Sequence, residues 1–244
     1  MASSIQVINL SKSYKNKKAV NNINFKVEKD QIVGLLGPNG CGKTTTIAMI
    51  LGLLKPSGGK VLINEKNIEE NRIDLLHKMN FISPYIELPK KLTVKQNLIV
   101  YGKLYDVKNL SERIEYLSNK LRLNKFLNNI TGELSSGQKN RVSLAKSLIN
   151  EPTVLLLDEP TASLDPETGD FIRRFLEEYK KEKKISILLA SHNMDEVKRL
   201  CSSILMMKDG IIIDKGSPSQ LINKHGRENL EEVFLKLVRN ENEF

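Results

Sequence analysis

Apolar and polar positions alternate along Ile5-Gln6-Val7-Ile8-Asn9-Leu10 and again along Ile23-Asn24-Phe25-Lys26-Val27. A period of two predicts strands with one buried face. Gln31-Ile32-Val33-Gly34-Leu35-Leu36 breaks that alternation with a short apolar run, and Thr45-Thr46-Ile47-Ala48-Met49-Ile50-Leu51 follows with helical spacing. A buried strand, a glycine-rich connection and a helix in succession predict an α/β unit with parallel pairing.

From about residue 84 to residue 150 the spacing turns helical. Thr93-x-x-Gln96 is a capping box ahead of a helix running to about Tyr105, and Ser111 is the expected cap of a second helix with Ile114, Leu117 and Leu121 on one face. Short strands return at Val154 to Leu157, Ile185 to Ala190, Ile204 to Met207 and, after a turn at Asp209-Gly210, Ile211 to Ile213. The Lys180 to Lys184 run between them reads as a solvated loop end. The expected organisation is an α/β core of residues 1–83 and 151–228, a helical insertion of 84–150, and a terminal segment of 229–244. In that last segment Leu230, Val233, Phe234, Leu237 and Val238 recur at helical spacing. It reads as an amphipathic helix, packed on its own domain in preference to a dimer contact.

The 244 residues, 40% apolar and 27% charged, suit a soluble chain with a sizeable core. No apolar run approaches the roughly 18 residues of a membrane span, and the start lacks a basic stretch followed by an apolar one. Two cysteines, Cys41 and Cys201, are too few for a disulfide framework, so a reducing compartment is expected. The 38 basic and 29 acidic residues give +9, a surface that favours anionic partners or simply keeps the chain soluble.

Candidate chemistry starts at Gly37-Pro38-Asn39-Gly40-Cys41-Gly42-Lys43-Thr44, with Thr45 next, which matches G-x-x-x-x-G-K-[ST] between an expected strand and an expected helix. Glycines let successive backbone N–H groups curl toward one anion, and the helix adds its positive end. Lys43 would reach the β- and γ-phosphates of a nucleotide and the Thr44 hydroxyl would hold Mg2+. The strand Val154 to Leu157 ends in Asp158-Glu159. Asp158 is the expected metal-ordering carboxylate, and Glu159 the general base for an attacking water. Cys41, in the loop at a helix start, invites a stabilised thiolate that alkylating agents attack unless ATP shields it; equally, Cys stands there for its small size.

Leu134-Ser135-Ser136-Gly137-Gln138 lies between these two motifs, and Ser135-x-x-Gln138 opens a helix carrying Val142, Ala145, Leu148 and Ile149. Alone it would be a plain capping box. In this order, and over nearly the whole chain, the sequence resembles the nucleotide-binding domain of an ABC transporter. The resemblance implies a P-loop NTPase core with a mixed sheet, an antiparallel β subdomain and a helical insertion. It implies ATP and Mg2+ as cofactors. It places Tyr14 against adenine, His192 at the γ-phosphate, Asp165 of Ser163-Leu164-Asp165-Pro166 where two subunits' sites meet, and Ser135, Gly137 and Gln138 on the nucleotide of a second copy.

The implied partners are a second ATP-binding subunit and a separate transmembrane permease, which docks on the helical insertion at the cytoplasmic face of the membrane. Nucleic acid is not expected. The short chain, its tail and Ser83-Pro84-Tyr85 look more like exporter-type ATPases. Departures from the family pattern are Pro84 where a hinge glutamine is usual, and Ser136 and Ser163 in place of common glycines. With no side-chain donor or acceptor at Pro84, the relay to the membrane partner would fall to Ser83, Tyr85, Glu87 or backbone groups. Two rival readings remain: a soluble ABC ATPase acting on nucleic acid or ribosomes, and a regulatory module that binds nucleotide without hydrolysing it.

Overall fold

The computed structural model describes residues 3–15, 17–84, 86–162 and 164–239; Tyr85 and Ser163, both singled out above, lie outside them. In chain order the first segment comprises β1 (Ser3–Tyr14), β2 (Lys17–Glu28), β3 (Ile32–Leu36), α1 (Lys43–Ile50), β4 (Gly58–Ile63), β5 (Lys66–Asn67) and α2 (Arg72–Leu76). The middle segment comprises β6 (Met79–Ile82), α3 (Val94–Leu104), α4 (Leu110–Lys120), α5 (Ser136–Leu148), β7 (Val154–Asp158) and α6 (Pro166–Lys183). The last comprises β8 (Ser186–Ser191), α7 (Met194–Leu200), β9 (Ser203–Lys208), β10 (Ile211–Gly216), α8 (Pro218–His225) and α9 (Leu230–Arg239).

Two compact units result. Met1–Leu76 and Ser186–Phe244 form the first, and His77–Ile185 the second. The expected boundaries at 83/84 and 150/151 differ, since β6, β7 and α6 group with the helical segment.

In the first unit β2, β1, β4 and β5 make an antiparallel sheet, with Val7 opposite Phe25 on one side and Val61 on the other. The alternation seen in sequence is why: Ile5, Val7, Ile23, Phe25 and Val27 are all buried. β3 pairs in parallel with β8 and β9, and β9 turns back antiparallel into β10, so this pairing is mixed. Every residue of β3 and β8 is buried, as strands covered on both faces require. Asp209 and Gly210 make the β9–β10 turn with both φ values positive, the backbone a two-residue hairpin loop demands. The tail helix α9 packs on α7 and α8 through buried Leu230 and Val233.

The second unit joins β6 and β7 in parallel, Met79 opposite Val154, to a set of helices. Arg113 of α4, 8% exposed, ties these together: it donates to Leu148 O at the end of α5 and to Tyr179 Oη on α6 (2.9 Å), and pairs with Glu151 (2.9 Å). Two local expectations are corrected. The cap residue of α4 is Asn109 in a left-handed conformation, which places Ser111 inside the first turn. Lys180, Lys181 and Lys183 lie in the last turn of α6, where positive charge meets the carbonyl end of the helix dipole; they are not a loop end.

Candidate functional site

The phosphate loop, residues 37–44, leaves β3 and enters α1. It is held from behind by the β9–β10 turn: Gly210 N donates to Cys41 O (3.0 Å) and Asn21 N to Gly210 O (2.8 Å). Gly42 has φ 111, and a Cβ built there would stand 2.5 Å from Ala19 O, so only glycine suits both conformation and space. Lys43 is 6% exposed, and its ammonium donates to Gly37 O (2.7 Å) and Pro38 O (3.2 Å). A buried cation on the carbonyls of its own loop is poised for an anion. Asn39, Gly40 and Thr44 are exposed, Pro38 and Thr45 half-buried, and Gly37, Cys41 and Gly42 buried.

Tyr14, at the end of β1, is 49% exposed and carries Lys12 Nζ 5.3 Å from its ring centre. It offers a flat apolar face at the surface, as a stacking platform requires. His192 is exposed just after β8, with its loop fixed from inside. Ser191 Oγ donates to the fully buried Glu196 carboxylate (2.8 Å) and accepts from Asn193 N (3.1 Å), while Asn193 caps α7 by accepting from Glu196 N (3.1 Å). Glu196 was not singled out in sequence; the N-x-x-E spacing at a helix start is the signal for it.

In the second unit Asp158 ends β7 at 3% exposure. Glu159, half-buried, adopts φ 51, a left-handed conformation uncommon for a non-glycine residue and concentrated at functional positions. Ser135 caps α5 in a complete capping box: its Oγ accepts from Gln138 N (3.3 Å), and Gln138 Oε1 accepts from Ser135 N (2.9 Å). The hydroxyl proton of Ser135 and the amide NH2 of Gln138 stay outside those two bonds. Gly137 is buried 3.2 Å (from an ideal Cβ) against Thr168, which brings α5 close to the start of α6. Asp165 is the cap of α6; hydrogen bonds from the Thr168 backbone N–H and hydroxyl hold its carboxyl below the usual range. A pocket of about 230 Å3 runs beside Glu159, walled by Pro84, Ile86, Leu88, Ser136 and Asn140.

The ABC transporter family profile matches residues 20–162. The chain is 33% identical to the ABC transporter ATP-binding protein NatA of Bacillus subtilis over 243 residues, covering 96% of this chain and 98% of NatA. The chain belongs to the ABC transporter ATP-binding family. This ABC protein is also 36% identical to the choline transport ATP-binding protein OpuBA of Bacillus subtilis (93% of this chain, 61% of OpuBA) and 37% identical to the Nod factor export ATP-binding protein I of Rhizobium johnstonii (90% and 71%). It thus spans nearly all of NatA and about three-fifths of the choline relative. Among solved structures, an ATP-binding subunit of an ABC transporter matches with TM-score 0.89 at 26% identity, covering 96% of this chain and 99% of that one. A dimeric ATP-binding cassette in a post-hydrolysis state bound to ADP and Pi matches with TM-score 0.80 at 25% identity, covering 87% and 98%.

The P-loop NTPase fold, with mixed and antiparallel sheets and helices, is therefore established, and the ABC protein is an ATPase whose cofactors are ATP and Mg2+. Its residues fit them. The Lys43 ammonium suits phosphate charge, and the Thr44 hydroxyl and the Asp158 carboxylate, each taken by itself, are oxygen donors of the hard kind that Mg2+ takes. Thr44 belongs to the first unit and Asp158 to the second. The activated-thiolate expectation for Cys41 is corrected: the residue is 4% exposed, and burial pushes its thiol up despite Lys43 nearby.

Proposed function

We propose that this chain is the ATP-hydrolysing subunit of an ABC transporter, in which two copies close around two Mg-ATP and drive a substrate through a separate membrane permease. One observation carries the reading: a single chain holds both a phosphate loop with a buried lysine and a signature segment at a second helix N-terminus. Each ATP would sit between the phosphate loop of one copy and Ser135 and Gly137 of the other. Dimerisation is thus the means of completing each site.

In the proposed reaction Tyr14 stacks on adenine. The loop N–H groups, Lys43 and Thr45 hold the phosphates. Thr44 and Asp158 would each offer an oxygen to Mg2+, whose positive charge would offset that of the nucleotide phosphates. Glu159 orients a water and takes its proton as the water oxygen bonds to the γ-phosphorus and the bond to the ADP oxygen breaks. His192 steadies the γ-phosphate, and Asp165 links the two copies. Positioning and fixed charge supply most of the rate. ATP then favours the closed dimer and hydrolysis releases it.

The helical segment 84–150 would dock the permease at the cytoplasmic face of the membrane, and exposed Ile86, Val100 and Leu104 suit such a contact. Among the described residues no helix is long and apolar enough to cross a membrane. Export is the proposed direction, supported by similarity to a Nod factor export protein; reconstitution with the permease in sealed vesicles would read the direction of ATP-driven flux. The dimer is tested with Glu159→Gln in saturating Mg-ATP by multi-angle light scattering. The expected result is twice the monomer mass, collapsing when Mg2+ is chelated. A monomer throughout would defeat the reading.

A further inference from the structure

Asn140 stands in the second turn of α5, five residues after Ser135, and its Nδ2 donates to Pro160 O at 2.6 Å. Asn is a poor helix former, because its side chain competes for backbone groups, so a mid-helix Asn calls for a tertiary reason. The segment it reaches is the turn that follows Glu159. Backbone bonds there use Glu159 O, which accepts from Ala162 N (3.2 Å), and Thr161 O, which accepts from Leu164 N (3.3 Å). Pro160 O lies between them on a buried residue and takes a side-chain donor instead. A buried carbonyl requires such a partner.

The backbone just before that carbonyl is left-handed, as it is at several other non-glycine residues of the chain. Glu159 has φ 51 and precedes a proline, which narrows its conformations further. A residue in such a state persists only where its surroundings over-determine it. Holding Pro160 O fixes the Pro160–Thr161 peptide, and the proline ring, whose φ is locked, passes that constraint back to the peptide that follows Glu159 and so to the backbone from which its carboxylate leaves.

We infer that Asn140 is a positioning residue for hydrolysis: its amide, anchored on the signature helix, holds the Glu159-Pro160 turn in the conformation that aims Glu159 at the water. The inference rests on the proposed role of Glu159. It adds a connection within one subunit, because α5 begins at Ser135, which serves the partner's ATP, while Glu159 serves this subunit's own. Movement of the signature helix on one nucleotide is thereby transmitted to the base acting on the other.

The test is steady-state hydrolysis of Mg-ATP by the purified full chain, with ATP affinity and thermal unfolding measured in parallel. Asn140→Ala should lower kcat by about 10- to 100-fold, the range expected when a catalytic group is misplaced by up to an ångström, with ATP affinity within about twofold. Asn140→Gln, which keeps the donor, should recover most of the lost rate. Asn140→Asp turns a charged acceptor toward the carbonyl; its rate relative to the unmodified chain should be lowest at pH 8 and rise toward pH 5.5, as a protonated carboxyl regains a donor. Asn140→Ala with unchanged kcat, equal loss in the Ala and Gln variants, or a loss matched by the fraction unfolded would each overturn the inference. Glu159→Gln separates the two claims. If it abolishes turnover while Asn140→Ala does not, only the positioning role falls; if it leaves turnover intact, or the unmodified chain has none, the role of Glu159 falls as well.

Discussion

Gly42→Ala and Gly40→Ala change the same loop by one methyl each and should differ sharply in outcome. Gly40 has φ 79, and a Cβ there meets nothing within 4 Å. The expected cost is the left-handed backbone alone, about 1–2 kcal/mol. Gly42 has φ 111, farther from any conformation an L-residue prefers, and its Cβ would lie 2.5 Å from Ala19 O and 2.7 Å from Met207 Cε. Met207 Cε ends a flexible side chain and can move. Ala19 O is backbone within β2, so the loop itself must shift. Backbone strain of about 1–3 kcal/mol and overpacking of about 1–3 kcal/mol together come to about 4 kcal/mol. For a chain of this length each kcal/mol moves Tm by about 2–4 °C. Thermal unfolding without nucleotide should therefore fall by about 2–8 °C for Gly40→Ala and by 8 °C or more for Gly42→Ala. Urea midpoints should follow the same order with unchanged slope. Equal shifts for the two variants would show that Ala19 O does not wall the loop, and the close-approach argument would be wrong.

Two further outcomes follow from side chains at opposite extremes of burial. Tyr14→Ala removes an exposed ring, so stability should change by no more than about 0.5 kcal/mol. ATP affinity should drop about tenfold, the lower part of the range for losing one base–aromatic stack, with Tyr14→Phe close to the unmodified chain; equilibrium titration with a fluorescent ATP analogue reads both. Asp214 on β10 joins Lys224 (2.6 Å) and His225 (2.6 Å) of α8; burial raises its carboxyl, but these hydrogen bonds and that from Lys215 N outweigh it and leave the group below its ordinary value. A depressed carboxyl stabilises the fold above its unfolded value, near pH 4, and that contribution is lost as pH falls through the folded value. Asp214→Asn should thus lower the urea midpoint at pH 7, with the gap narrowing as pH falls below about 4; a gap independent of pH would refute the assignment.

What was legible in the sequence and what was not divides along the range of the interactions. Local pattern carried far: the box at Thr93 and Gln96 forms with both hydrogen bonds (3.1 and 2.8 Å), and Val142, Ala145, Leu148 and Ile149 are buried together. The candidate phosphate loop could be proposed from sequence for the same reason, since phosphate binding uses consecutive backbone groups and a short run encodes them. Strands β4, β5 and β6 were not readable. β5 and β6 are short, β4 opens on two glycines, and β4 and β6 pair with residues far along the chain, as Val7 with Val61 and Met79 with Val154. Even α6 hides its period of Ile172, Phe175, Leu176 and Tyr179 behind a dense charged face that draws the eye to its lysines.

The same division explains why the supports of the site escaped a reading of the sequence while the site did not. Ala19 O behind Gly42 and Asn140 on Pro160 O are each one contact between elements brought together only by folding. No motif spans such a contact, because the residue that gives the support and the one that needs it are free to vary in spacing. If the proposed roles hold, these contacts would fix the catalytic groups to the fraction of an ångström on which rate depends. It follows that two chains with identical phosphate loops and signatures can differ in turnover through residues no motif names, and that in this chain Asn140 is the first place to look for such a difference.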